Sequence, residues 1–214
     1  MKSESTVGKM YAKTMKLVLG GVIVALGTVL SMIKVYELPY GGSITLCAML
    51  PVLFYAYKYG PKWGVSVGLV YSVTQFVLGT GAIRGFSLMT AFGVIVFDFL
   101  LAFSVLGTAG IFKKLIKNDV IAFGLGAAFA IILRYISHII SGVIFFGSYA
   151  DWYFGQEGMK MGAGILSGFS GNALIWIYSV IYNGSYIIPE LIITVAAGCL
   201  IMKFVGRQLL DRLA

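Results

Sequence analysis

Apolar runs about as long as a membrane is thick, divided by short lysine-bearing linkers, constrain this chain more than any other feature of it. A helix that crosses a bilayer needs about 20 apolar residues. Six such runs are read, at roughly 15–33, 42–57, 64–82, 88–112, 119–146 and 184–205. The second is short and holds Pro51, and the fifth holds Arg134 and His138. Another apolar segment, around 163–180, carries Gly162, Gly164, Gly168 and Gly171 with Ser167, Ser170 and Asn172. That density of small and polar residues reads as a structured loop or re-entrant lid. Only 11% of the 214 residues are charged and 59% are hydrophobic, against ~25% charged in soluble domains. A soluble enzyme, a disordered chain and a nucleic-acid-binding arm are excluded. The expected fold is all-α, a polytopic membrane protein of six transmembrane helices forming one domain over 1–214.

The net charge of +8 is a topology signal here, because the basic residues fall between the apolar runs. One side collects Lys2, Lys9, Lys13, Lys16, Lys58, Lys62, Lys113, Lys114, Lys117, Lys203, Arg207 and Arg212. The other side has Lys34, Arg84 and Lys160. Lysine and arginine stay in the cytoplasm, so both termini are expected there, with a cytoplasmic arm over about 1–14. The long loop at about 147–183 is then extracellular. It carries Tyr149, Trp152, Tyr153, Trp176 and Tyr178, which suit either a lid or an interfacial aromatic belt. Cys47 and Cys199 lie inside apolar runs and read as small buried hydrophobes. No small-residue cleavage site follows the first run, so it reads as a retained span. No internal repeat is visible.

Ionisable groups within spans are costly and usually functional. They are Asp98, Arg134, His138 and, near the outer end of the last run, Glu190. Arg134 and His138 are four residues apart and share a helix face. Arg134 is expected to pair with Asp98 or Glu190, as a structural ion pair or as part of a site. His138 is the sole histidine. Asn183 either caps the last helix or reads the edge of a ring with its donor and acceptor. Gly21 and Ala25 make a small-residue step on the first helix, suited to close approach of a helix inside or outside the bundle. The chain has no G-x-x-x-x-G-K-[ST], so it holds no nucleotide loop of its own. Gly168-Phe-Ser170-Gly171 matches the short motif of intramembrane serine proteases, but His138 precedes Ser170, the wrong order for that family.

Arg134-Tyr-Ile-Ser-His138-Ile-Ile-Ser-Gly-Val-Ile-Phe-Phe146-Gly-Ser-Tyr-Ala150 and Tyr178-Ser-Val-Ile-Tyr-Asn183-Gly-Ser-Tyr-Ile-Ile-Pro-Glu190 closely resemble the thiamine-specific substrate-binding subunit, or S component, of energy-coupling factor (ECF) transporters. Phe97-Asp98-Phe99-Leu-Leu-Ala-Phe103 and Tyr40-Gly-Gly-Ser-Ile-Thr45 fit the same family. The resemblance implies six helices and a thiamine pocket near the outer surface. It also implies a membrane coupling subunit and two cytoplasmic ATPases as partners, with no enzymatic activity and no cofactor or metal in this chain. His138, Tyr178 and Asn183 match the family's site unchanged. Asp98 stands where the family usually has Glu, Phe99 where it has Tyr, and Phe146 where it has Trp. Gly21 and Ala25 match the small residues that meet the coupling subunit, usually two alanines. Tyr36 and Tyr40, in the first outer loop, are candidates to close over the ligand. The implied location is the cell membrane of a Gram-positive-type bacterium.

The residues by themselves suit a cationic heteroaromatic ligand. An acidic group and aromatic faces hold the charge, while His and Asn read the ring edge. Two other readings stay open, an S component for a thiamine precursor or another vitamin, and a stand-alone channel or carrier.

Overall fold

A computed structural model describes residues 6–38 and 42–212. Helix α1 (Thr6–Met32) leads into an antiparallel hairpin of β1 (Lys34–Glu37) and β2 (Ser43–Thr45). Tyr36 faces Ile44 and Glu37 faces Ser43, with an irregularity between Lys34 and Tyr36. Helices α2 (Leu50–Tyr59) and α3 (Pro61–Leu78) follow, then a 3-10 turn (Thr80–Ile83). The next rod is composite: α4 (Leu88–Val94), a π turn (Ile95–Leu101), α5 (Ala102–Ser104) and a 3-10 stretch (Val105–Lys114). Helix α6 (Asp119–Phe145) is continuous. A 3-10 turn (Gly147–Tyr149), α7 (Ala150–Phe154) and α8 (Gly162–Gly168) lead to α9 (Gly171–Arg212).

Local chemistry sets these boundaries. Asn118 caps α6, its Oδ1 accepting from Val120 N at 3.0 Å and Ile121 N at 3.1 Å, a donor pair every helix start leaves open. Gly60, at φ +83°, ends α2, and Pro61 opens α3, the usual division of labour between these residues. Pro51 lies in the first turn of α2, where a missing N–H costs nothing.

That proline corrects the sequence reading of the second run. A helix over 42–57 would put Pro51 in its interior, so α2 starts only at Leu50 and the segment before it becomes β2. Cys47, between them, takes φ +54°, a left-handed turn that a helix could not contain. The fold is overwhelmingly helical, as the sequence implies, with one small hairpin added. The last run is corrected too. Helix α9 begins at Gly171, not near 184, and 171–183 is helix rather than loop. The glycines that suggested a loop break the chain only between α8 and α9, and the apolar residues after Gly171 carry the helix onward. Its 42 residues span about 63 Å at 1.5 Å per residue.

Among the described residues, four helices are long and apolar enough to cross a membrane: Gly8–Met32, Leu88–Lys114, Asp119–Phe145 and Gly171–Gly206. Helix α2 alone reaches only about 15 Å, half of a ~30 Å hydrocarbon layer. Val18, Val22 and Val29 of α1, Leu125, Ile132 and Ile136 of α6, and Ile188 and Ile192 of α9 are exposed. A surface this apolar belongs against lipid.

The two ends differ. At one, Lys16 lies over the Tyr59 and Trp63 rings, and Lys113 donates to Lys58 O at 3.3 Å over the Tyr57 ring. Tyr57 also donates to Asp119 at 2.6 Å. The dry core fills this half, with Phe54 stacked on Phe123 at 4.5 Å and Tyr57 edge-on to Phe123. The hairpin, the turn at 80–83 and helices α7 and α8 lie toward the other end, where the packing opens.

Backbone meets backbone in the core. A Cβ on Gly64 would lie 2.3 Å from Gly107 O, and one on Gly107 would lie 2.1 Å from Val65 N. Neither neighbour can rotate away. Gly107→Ala is expected to destabilise the fold by about 2 kcal/mol, read as a lowered unfolding midpoint in detergent. An unchanged midpoint would show that α3 and the 105–114 stretch do not meet there.

Candidate functional site

The open half of the bundle holds a cavity of about 830 Å³. One face of α6 forms its wall. Arg134, Ser137, His138 and Ser141 fall at i, i+3, i+4 and i+7, which stacks them on one stripe, and all four are buried. The π turn brings Asp98 to that stripe. A π turn has i→i+5 bonds and is frequent at functional sites. Here it is pinned to α6 at three points. Ser137 Oγ donates to Phe97 O at 2.6 Å, Ser141 Oγ donates to Asp98 Oδ2 at 2.6 Å, and His138 Nδ1 meets Asp98 Oδ1 at 2.8 Å.

Beneath His138 lies an ion pair. Arg134 Nη1 donates to Glu190 Oε2 at 3.0 Å and sits 2.8 Å from Met49 Sδ, with the guanidinium over the Phe103 ring at 4.6 Å. Glu190 is 2% exposed. Its other oxygen accepts from Thr45, by the hydroxyl and by the backbone N–H at 3.4 Å. Of the two sequence-stated partners for Arg134, the structure selects Glu190, because Asp98 is taken by His138 and Ser141.

Helix α9 supplies the opposite wall. Tyr178, Tyr182 and Tyr186 form a ladder four residues apart, with centroids 5.6 and 6.3 Å apart, and Tyr153 of α7 stands edge-on to the first two. Asn183 is mid-helix, which overturns its reading as a helix cap. Its Nδ2 donates to Ser179 O at 2.9 Å and His138 O at 3.3 Å, and its Oδ1 accepts from Tyr186 OH at 2.8 Å. Gly142 lets α9 approach, since a Cβ there would meet Ser179 Oγ at 2.4 Å. Phe99 and Phe146 also line the cavity. Phe146 ends α6 and packs edge-on to Phe86 at 5.6 Å.

The structure thus brings together Asp98, Phe99, Arg134, His138, Phe146, Tyr178 and Asn183. Tyr36 is not with them. It is exposed on β1 and absent from the cavity lining, where Lys34 and Glu37 stand instead. The irregularity between Lys34 and Tyr36 shifts the side-chain alternation, as strand bulges do. Tyr40 lies outside the described residues. Gly21 and Ala25 are exposed on α1, and nothing lies within 4 Å of a Cβ placed on Gly21, so this step faces out of the bundle. Ser170 is exposed at the break before α9 and does not line the cavity, while His138 is committed to Asp98. The pairing a serine protease needs is absent between them. Ser141, Tyr186 and Thr45 were missed by the sequence reading. Ser141 was findable, three residues beyond His138 on the same stripe. Thr45 meets a residue 145 positions away, and nothing local announces it. No three His, Cys, Asp or Glu side chains converge to hold a metal among the described residues.

A family model described as "Thiamine transporter protein" matches residues 17–161. The thiamine transporter ThiT of Bacillus subtilis is 29% identical over 187 residues, covering 81% of each chain. A solved structure of ThiT from Listeria monocytogenes has this fold, with a TM-score of 0.66 at 20% identity over 91% of this chain and 97% of that one.

The ion pair gives the site's own test. Glu190→Ala leaves a buried guanidinium without a countercharge, a loss of about 3–5 kcal/mol. The expected result is a large fall in the unfolding midpoint in detergent. A fall no greater than that of an exposed Glu37→Ala control would show that the pair is not buried.

Proposed function

The chain belongs to the thiamine transporter protein family, and from that premise we propose that it is the thiamine-binding S component of an ECF-type, ATP-driven uptake transporter. The observation that carries the reading is the charge of the cavity. Among the charged lining residues that are not exposed, two carboxylates, Asp98 and Glu190, stand against one guanidinium, Arg134, while Lys34, Glu37 and Arg84 of the lining are exposed. Glu190 and Arg134 cancel, and the charge of Asp98 is left to face a cation. Thiamine carries one, on its thiazolium ring, together with an aminopyrimidine.

Asp98 and the aromatic faces of Phe99, Phe146 and Tyr178 hold the thiazolium by charge and cation–π attraction. Asn183 Oδ1, which accepts from Tyr186, has a second lone pair to accept from the pyrimidine's amino group, and His138, both of whose ring nitrogens are bonded within the protein, orients Asp98. The cavity opens at the end opposite the lysine cluster formed by Lys16, Lys58 and Lys113. That placement supports capture from outside, with both termini in the cytoplasm of a cell membrane. Helices α2 and α3, hinged at Gly60, complete a six-helix bundle with the four long helices. Gly21 and Ala25 face outward and suit the close approach of a coupling subunit's helix. ATP hydrolysis is assigned to two separate ATPases, as the family resemblance implies, and the lack of a nucleotide loop in this sequence agrees with that.

A precursor or a different vitamin is the second reading. The Asp98 carboxylate bonds to His138 and Ser141 of α6 and is one methylene shorter than the Glu usual in the family, which favours a ligand of different reach. Calorimetric titration of the purified chain with thiamine, and with its pyrimidine and thiazole halves, separates the two. Whole thiamine is expected to bind saturably. Asp98→Ala, which removes the countercharge, and Asn183→Ala, which removes a buried hydrogen bond, should each weaken it by about tenfold or more. Folded protein that gives no heat with thiamine would sink the assignment and leave the second reading.

A further inference from the structure

We propose that Gln75 of α3 is a specificity-determining residue of the cavity, its side-chain carbonyl accepting a hydrogen bond from the hydroxyl arm that the ligand carries on its cationic ring. The proposal rests on the thiamine reading given above and adds a contact on a wall which that reading does not use. Tyr71, Gln75 and Gly79 fall four residues apart along α3 and its closing glycine, on one stripe, and all three line the cavity. Tyr71 is fully buried, and its hydroxyl meets the carbonyls of Gly27 at 3.4 Å and Ala48 at 3.3 Å. Its one proton therefore stays within the protein. Gly79 has no side chain. Gln75 is left to supply the polar function of this stripe.

Helix α1 settles which way the amide is turned. Ser31 Oγ donates its only proton to Thr28 O at 2.7 Å, so toward Gln75 it can only accept. The amide atom 3.0 Å from it is therefore the nitrogen, and the carbonyl oxygen is the other arm of the fork. Among the described residues no donor meets that oxygen. The Thr28 and Thr74 hydroxyls lie 3.0 Å apart beside this pair, so α1 and α3 are tied together where the amide is anchored. A ligand that fills the cavity takes water away from the open acceptor. That costs free energy unless the ligand brings a donor of its own.

Position decides which donor. Phe99 of the π turn packs on the same wall. Its ring is edge-on to Phe76 at 5.4 Å, and a Cβ on Gly79 would lie 2.7 Å from Phe99 Cε1. Phe99 offers no hydrogen-bonding group, and it follows Asp98, to which the proposed function assigns the thiazolium. Asn183, assigned to the pyrimidine's amino group, belongs to α9 and bonds to His138 O of α6. The donor on the thiazolium side of thiamine is its hydroxyethyl arm, and that is the group matched to Gln75.

The test is calorimetric titration of the full chain with thiamine and with its deoxy analogue, whose arm ends in a methyl group. The wild type is expected to bind the analogue about tenfold more weakly, because the analogue leaves the Gln75 oxygen without a donor. Gln75→Met keeps the length of the side chain and removes the amide, so it should bind the two ligands within about twofold of each other. Ser31→Ala removes the anchor of the amide and should narrow the gap as well. Neither variant should change the affinity for the pyrimidine half. Equal binding of the two ligands by the wild type would overturn the proposal whether or not the variants fold. So would a gap that persists undiminished in Gln75→Met, or a Gln75→Met that weakens the pyrimidine half as much as it weakens thiamine. A folded wild type that binds neither ligand would sink the proposed function along with this contact, whereas equal binding of both would sink the contact alone.

Discussion

The guanidinium of Arg134 and the carboxylate of Glu190 meet at 3.0 Å inside an apolar bundle, and the rest of the site is arranged around that meeting. Each charge alone would cost several kcal/mol to bury. Together they are tolerable only if every remaining donor and acceptor is used. Thr45 takes the second Glu190 oxygen, and Phe103, Met49 and His138 take the other faces of the guanidinium. One pair thereby joins the hairpin, α2, α5, α6 and α9. Loss of either partner strands the other charge, which is why the pair orders the elements more than it stabilises them.

From that pair a chain of polar contacts runs outward to the ligand's side of the cavity. Arg134 orients His138, His138 and Ser141 orient Asp98, and Ser137 holds the backbone of the π turn that carries it. The π turn frees carbonyls from the regular helical ladder, and Ser137 uses one of them. Asn183 joins the far wall to the same helix through His138 O. The site is thus preorganised by bonds already made before any ligand arrives, which limits the ordering cost of binding.

Much of this was legible in residue types. Asp98, Arg134, His138 and Glu190 stood out because charge inside an apolar run is rare and demands a partner. The spacing of Arg134 and His138 puts them on one helix face. Other features were not legible. A Pro at position 51 in an apolar run reads equally as a kink in a span or as the first turn of a shorter helix, and only the hairpin before it decides. The glycines of 162–171 read as loop because propensity is local, whereas α9 is carried through by its packing on α6 and α7. Tyr36 looked like a gate, and the strand irregularity turned it away from the cavity.

The sequence by itself determined that the chain lives in a membrane, which end carries the lysines and which few polar groups must be buried there. Hydrophobic length and charge are properties of the covalent chain and need no fold to be counted. The tertiary structure alone decided who partners whom. Arg134 could have met Asp98 or Glu190, and Thr45 had no partner in view. Those choices depend on how α6, α9, the π turn and the hairpin converge. That convergence is set by close approaches at Gly142, Gly64 and Gly107 between residues far apart in the chain, which no local pattern records.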